Sequence, residues 1–439
     1  MITLNVRLST PRRLAAIAIA LSVALPSLTA CGDDSSNNAP SDANAPVTLT
    51  WWHNGNQDPA LGVWQSIADA YHKDHPNVTF KVEPAQNEAL KTKISVALQS
   101  PNPPSIFQQW GGGALATQVQ SGKIMDMTPQ TSSWISQLGA AAKGWQVDGK
   151  QYGIPYDLHV VGFWYRKDLF EQAGISAPPK TMAELNDAVT KLKAKNITPI
   201  SVGSKDKWPD AFWWSYFAIR ECSTQTVQDT VKNLKMDDPC WVKAGEDLKA
   251  FLATNPFQNA FLGTPAQQGA GSSAGLVANG KAAMELQGDW ELPTMIPLTE
   301  DKQFASKLSW FPFPSVDGGK GDAGTQLGGG DGFSCSVKAG PACADFLKYV
   351  ASTEVQTKLV QSNTATLPAN PQAISALTDP SLKTVQEALN KAPYIQVYFD
   401  QALPTSVGQA LNDAIADFFA GKGTPQGIVD AFTKAVANK

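Results

Sequence analysis

"VTLTWWHNGNQDPALGVWQSIADAYHKDHPNVTFKVEP", residues 47 to 84, changes its hydrophobic period twice. Residues 47 to 52 alternate and are rich in β-branched and aromatic side chains, the pattern of a half-buried strand. Residues 59 to 75 then carry apolar side chains at helical spacing, and residues 77 to 84 alternate again. A strand, a helix and a strand in that order form a β-α-β unit and point to a parallel sheet. The pattern recurs. "SIFQQW" (105 to 110) reads as a short strand closed by three glycines, with the helical "ALATQVQSG" behind it. Thr181 opens a helix with Glu184 three residues on, a capping box, and "ITPISVG" (197 to 203) follows as a strand. Residues 344 to 361 and 411 to 436 read as strongly helical, the latter punctuated by Gly421 and Gly423. The fold class is α/β, with strands feeding helices.

At the N-terminus, Arg7, Arg12 and Arg13 precede an apolar stretch, residues 14 to 30, that Ser22, Pro26, Ser27 and Thr29 interrupt. This is the layout of a secretory signal, too short and too broken for a spanning helix. Residues 1–30 are expected to be removed. "LTAC" (28 to 31) resembles the lipobox of bacterial lipoproteins, in which cleavage falls before the cysteine and its thiol carries a diacylglyceryl group, so Cys31 is the expected lipidation site. Residues 31–46 hold no large apolar side chain after Cys31 and read as a flexible tether. Lipid and tether together place a folded domain at the outer face of a cell membrane.

Without the first 30 residues the balance is 32 basic against 39 acidic side chains, a surface that does not suggest nucleic acid as partner. About 390 residues beyond the tether exceed what one hydrophobic core usually serves, so two domains are expected. Cys222, Cys240, Cys335 and Cys343 remain, an even number in an exported chain, where disulfides persist. Of three possible pairings the two local ones, Cys222 with Cys240 and Cys335 with Cys343, are favoured. Their spacings fit neither zinc knuckles nor redox C-x-x-C motifs, and no metal or other cofactor is expected.

Three motifs invite catalytic readings that their contexts weaken. "GSSAG" (271 to 275) fits a nucleophile elbow at Ser273, yet no strand precedes it, and His53, His72, His75 and His159 all come earlier in the chain. "GKGDAG" (319 to 324) fits a dinucleotide fingerprint but leads into "TQLGGGDG", which cannot start a helix. His72 and His75 are spaced to chelate a metal, beside a Lys73 and Asp74 that mark a solvated face. A carboxylate pair for glycoside hydrolysis needs only spatial proximity, so a secreted glycan-active enzyme stays open as the alternative.

Aromatic residues carry the sharper signal. Of 13 Trp, several sit in turn-like or polar contexts: Trp51 and Trp52, Trp110 before three glycines, Trp213 and Trp214 in "DAFWWSYF", and Trp290 in "GDW". Indole faces stack on the C–H faces of a pyranose, and planar Asp, Asn and Gln groups bind its hydroxyls. Such groups, among them Asn54, Gln57, Gln108, Gln109, Asp210 and Asp289, stand beside these tryptophans. The combination favours carbohydrate.

From about residue 47 to the C-terminus the chain resembles the extracellular solute-binding proteins of ATP-driven carbohydrate importers, the relatives of maltose-binding protein. The resemblance rests most on "YGIPYDLHVVGFWYRKDLFEQAGISAPPKTMAEL" and "GKAAMELQGDWEL", with "LTWWHNGNQDPALGVWQSIADAYHKDHPNV", "PPSIFQQWGGGALATQVQSGKIMDMTP" and "GGGDGFSCS" in support. It implies two α/β lobes joined by crossing segments, 47–156 with 326–368 and 157–325 with 369–439, and a sugar in the cleft between them. It also implies a permease partner, a monomer and no enzymatic activity. The residues it nominates for ligand binding are Trp290 as stacking aromatic, Asp157 as hydroxyl-binding acid at the hinge, and Gln108 and Trp110 on the first rim. Gly330 and Asp331 follow on a returning strand, with Tyr398 and Asp400 late in the chain; Asn54 and Gln57, on the turn after the first strand, and Trp213, from the aromatic pattern, complete the set of candidates. Xylobiose or a gluco-oligosaccharide is the expected size of ligand.

Overall fold

A computed structural model describes residues 45–439; the signal segment 1–30, Cys31 and the tether up to residue 44 lie outside the described residues. β1 (Val47–His53) and β2 (Val78–Pro84) pair in parallel from Val47 opposite Val78 to His53 opposite Pro84. The helix Ala60–Asp74 between them buries Trp64, Ile67, Ala68 and Tyr71, so the β-α-β unit forms as its periodicity requires. β3 (Ile106–Gln109) adds to the other side of β1, again parallel.

The sheet does not stay parallel. β4 (Gln146–Val147) and β5 (Lys150–Gln151) form a small separate hairpin, followed by the 13-residue β6 (Ile154–Arg166). Then come β7 (Thr198–Ser201), β8 (Ala282–Gly288), β9 (Leu308–Phe311), β10 (Gln326–Cys335), β11 (Leu367–Pro368) and β12 (Ile395–Val397). The order is β2-β1-β3-β10-β6-β8-β7, with β9 and β11 on β6 and β12 on β10. β10 runs antiparallel to both β3 and β6, and β6 antiparallel to β8. The parallel expectation therefore holds at the two ends and fails in the middle, where strands distant in sequence meet without a crossover helix.

β6 is the crossing element. Its first half pairs with β10 from Ile154 to Val160, and its second half with β8 and β9 from Val161 to Arg166. On one side lies a core around Trp51, whose ring meets Trp64, Phe333 and Phe346 edge to face at 5.1 to 5.3 Å. On the other lies a core around Phe163, Trp213, Tyr216 and Phe313. The result is the two-lobed α/β fold.

Both local disulfides form. Cys222, just past the helix Trp208–Glu221, is bonded to Cys240 at the start of Cys240–Leu252, and Cys335 at the end of β10 to Cys343 in Pro341–Val350. The two late helical stretches each divide, at a Ser352 N-cap and at Gly421, whose φ of 73° ends Thr405–Phe419. Ser273 is buried in a helix capped by Ser272 and donates to the Ala266 carbonyl at 3.0 Å, so it is no nucleophile on an elbow. The 319–324 segment is a loop laid on the backbone of Ile219 and Arg220. His72 hydrogen-bonds the Val78 carbonyl while His75 stacks on Tyr71, so the pair does not converge on one point. Among the described residues no helix is long and apolar enough to cross a membrane.

Candidate ligand cleft

β10 contains four glycines in ten residues, a composition that weakens an ordinary strand. Here a side chain has no room. A Cβ on Gly329 would lie 2.5 Å from the Tyr398 ring, and one on Gly330 would lie 2.7 Å from the Trp145 ring, so aromatic rings rest directly on the strand. The same device recurs at Gly288, where a Cβ would come within 2.2 Å of the Trp290 indole.

Asp331 of β10 faces Asp157 of β6 across the ladder, a pairing of like charges that needs a counterion. His159, two residues along β6 and so on the same face, supplies it. Its Nδ1 lies 3.2 Å from both carboxylate oxygens of Asp289, and its Nε2 lies 3.4 Å from Asp331 Oδ2. Asp157 accepts backbone hydrogen bonds from Thr366 at 3.0 Å and Leu367 at 2.8 Å, and Asp289 accepts from the Val160 amide and the Thr366 hydroxyl. Burial alone would depress the imidazole, but the charges of Asp289 and Asp157 outweigh it and raise His159 well above its ordinary 6.5. Burial pushes Asp157 up, and the His159 charge offsets this only in part.

Asp157, His159 and Asp289 bring one donor atom each within 4.8 Å of one another, the span of a metal-binding cluster. Both oxygens of each carboxylate already accept hydrogen bonds, and the imidazole lies between acids. The donors are arranged as an ion-pair network rather than around a common centre.

A cavity of about 480 Å³ opens over this network, a size typical of small-molecule sites. Eight of the nominated residues border it: Asn54, Gln57, Trp110, Asp157, Trp290, Asp331, Tyr398 and Asp400. Trp110 stands on the β3 side with the Lys91 ammonium 5.5 Å from its ring, and Lys91 pairs with Asp400 at 3.6 Å. Trp290 stands on the opposite side beside Trp208 and Tyr398, at ring separations of 6.2 and 6.4 Å. Aromatic faces, planar acids and amides from several separate segments thus converge on one space.

Three nominations fall outside it. Trp213 is fully buried and stacks on Phe251 at 5.0 Å in the second core; on its helix, Trp208 and Phe212 take the cleft face instead. Gln108 lies behind the wall, its amide 3.5 Å from the Tyr156 hydroxyl, and Gly330 is covered by Trp145. His159, Tyr156, Trp64 and Trp208 line the cavity without having been nominated. For His159 the usable signal was its position two after Asp157 on a strand.

Beneath the Trp290 turn lie two buried acids, Glu285 on β8 and Glu291 immediately after the tryptophan. Burial pushes Glu285 up to about 8; burial, followed by the neighbouring Glu285 charge, pushes Glu291 well above the carboxylate range. Burial likewise lifts Asp210 to about 8. The folded state therefore keeps protons that the unfolded chain, with carboxyls near 4.3, has already released. Such groups lower stability as pH rises from the unfolded value towards about 8. His159, raised, acts in the same sense above 6.5, whereas His53, held neutral by burial down to about 3, opposes it only below 6.5. The melting temperature of the ligand-free protein is expected to fall between pH 6.5 and 8.5, and Glu285→Gln to flatten that slope. Calorimetric melting across this range checks it, and a rising wild-type curve would contradict it.

A family profile described as bacterial extracellular solute-binding protein matches residues 66–390. The diacetylchitobiose binding protein DasA of Streptomyces coelicolor is 26% identical over 360 residues, 79% of this chain and 80% of that relative. An ABC transporter extracellular-binding protein of Pyrococcus horikoshii is 24% identical over 255 residues; there the match spans about half of the relative's length, 54%, and 55% of this chain. A solved structure described with xylan utilization by the thermophilic bacterium Caldanaerobius polysaccharolyticus superposes with a TM-score of 0.80 at 25% identity, over 89% of this chain and 100% of that one.

Proposed function

Because the chain belongs to the bacterial extracellular solute-binding proteins, we propose that it captures a short, neutral oligosaccharide in this cleft and delivers it to the membrane-spanning permease of an ATP-binding-cassette importer. The observation that carries the reading is Trp290, laid across Gly288 at the cavity wall with Asp331 and Tyr398 in the same lining. Its flat apolar face beside planar hydrogen-bonding groups matches the two faces of a pyranose. The relative named for binding diacetylchitobiose supports a short sugar, the structure described with xylan utilization keeps xylose units among the candidates, and the cavity volume suits a ligand of that size. Xylo-, chito- and gluco-oligosaccharides are the candidates.

The lobes are proposed as 47–156 with 326–368 and 157–325 with 369–439, with β6 and β10 between them. Ligand bound to one lobe gains the contacts of the other only when the cleft shuts, which shifts the population towards the form the permease recognises. The family's extracellular character places the domain outside the cytoplasm. Lipidation of Cys31 would hold it there, since a diacylglyceryl group supplies the two chains that stable anchoring needs, and the tether would raise its concentration at the permease. Cys31→Ser is expected to move the protein from the membrane fraction to the medium; retention in the membrane would refute the anchor.

The enzyme alternative requires an acid and a base free to act on a glycosidic bond. Asp157, Asp331 and Asp400 are instead engaged, with backbone amides, His159 and Lys91 respectively. Incubation with xylotriose or N,N′-diacetylchitobiose separates the readings: the binding protein returns the sugar intact, and shortened products would reverse the assignment.

A further inference from the structure

We propose that His159 is the positioning residue of the cleft: its imidazolium, clamped between Asp289 and Asp331, holds the Asp331 carboxylate and the Trp290 ring in the arrangement that grips the ligand. The ligand part of this rests on the reading of the cleft as a sugar site.

A neutral imidazole carries one N–H and offers a lone pair at its other nitrogen. His159 presents Nδ1 to the Asp289 carboxylate and Nε2 to Asp331, so each ring nitrogen faces an acid and neither faces a donor. Nδ1 makes the hydrogen bond, whereas Nε2 makes an ion-pair contact at 3.4 Å without a hydrogen bond. A positively charged ring is attracted to both acids, and at 5% exposure it is too enclosed for water to screen them. Asp157 on β6, Asp289 after β8 and Asp331 on β10 act on the ring directly, and Tyr156 on β6, Thr366 before β11 and Tyr398 after β12 surround those acids. Among them are three carboxyl groups and no second cation. Burial would lower the imidazole, but the acids hold it up, in agreement with the geometry.

The same ring touches the aromatic wall. Trp290 stands perpendicular to His159 with centroids 4.8 Å apart, an edge-to-face contact between the two rings. Asp331 and Trp290 come from strands on opposite sides of β6, and His159 is the side chain on β6 that contacts both. One buried charge thereby fixes a hydroxyl-binding acid against β10 and a stacking plane after β8. Losing it would leave Asp331 free to turn away and Trp290 without its support.

The test has two arms. Nitrogen-15 NMR of histidine-labelled, ligand-free protein at pH 8, assigned with His159→Gln, is expected to show His159 as an imidazolium with two N–H groups. A neutral ring at that pH overturns the proposal. So does a stoichiometric metal ion in the purified protein that shifts the His159 signals. The second arm removes the cation together with the acid hydrogen-bonded to it, in the double variant His159→Gln/Asp289→Asn, which leaves Asp157 and Asp331 without their counterion. Its melting temperature is expected to fall below that of the wild type, while the affinity of the folded protein for whichever of xylotriose, N,N′-diacetylchitobiose and maltotriose the wild type binds falls at least 30-fold. Wild-type affinity in a folded double variant overturns the positioning role. If the wild type binds none of the three sugars, the sugar reading fails with it, whereas the NMR result still decides the charge state of His159.

Discussion

Trp290→Ala is expected to weaken oligosaccharide binding by about two orders of magnitude and to leave the melting temperature of the ligand-free protein close to that of the wild type. The indole is only partly buried and lies on the backbone of Gly288, so its removal opens the cavity wall rather than a sealed void. A stacking aromatic at the centre of a site contributes a few kcal/mol to binding, and about 2.7 kcal/mol corresponds to a hundredfold change in dissociation constant. Paired measurement on the same preparations decides the matter: calorimetric affinity, and melting without sugar. Unchanged affinity with a sharply lowered melting temperature would show that Trp290 serves packing and that the cleft contacts lie elsewhere.

Trp213→Ala should behave in the opposite way. Its ring is wholly enclosed, stacked on Phe251 and edge to face with Phe163 at 5.5 Å. Truncating a buried tryptophan costs about 3–5 kcal/mol, because the surrounding side chains close the void only in part. For a chain of this length that corresponds to a fall of roughly 5 °C in melting temperature. Affinity of the folded fraction is expected to stay within about threefold of the wild type. A large loss of affinity without destabilisation would return Trp213 to the binding site.

The contrast between these two residues shows where sequence stops being informative. Every residue from Pro209 to Glu221 of the helix Trp208–Glu221 is buried. A helix buried on all sides has no wet face to orient it, so nothing in "DAFWWSYF" distinguishes the cleft side from the core side. Trp290 was legible because "GDW" places a large ring beside a residue with no side chain. The β-α-β start was legible for the same kind of reason: its period changes are local and each segment has one wet face.

The centre of the sheet was not legible. β10 finds its partners β3 and β6 far away in the chain, and a run of glycines carries no periodicity from which to read direction. Its role as the floor under Trp145 and Tyr398 becomes visible only when the rings are in place. His159 shows the same limit. Asp157 and His159 are the polar interruptions in an otherwise apolar first half of β6, and their alternation was readable, but Asp289, Asp331 and Thr366 arrive from three other segments.

The cleft is proposed to bind a neutral oligosaccharide and to leave it unchanged. Isothermal titration of the ligand-free wild-type protein with xylotriose, N,N′-diacetylchitobiose and maltotriose tests it in one instrument. At least one of them is expected to give a saturable signal at one sugar per chain, with the baseline returning to zero after each injection and a negative heat-capacity change from burial of the indole faces. Heat that persists after saturation would mark turnover, and no signal from any of the three would mean that this cleft is not built for such sugars.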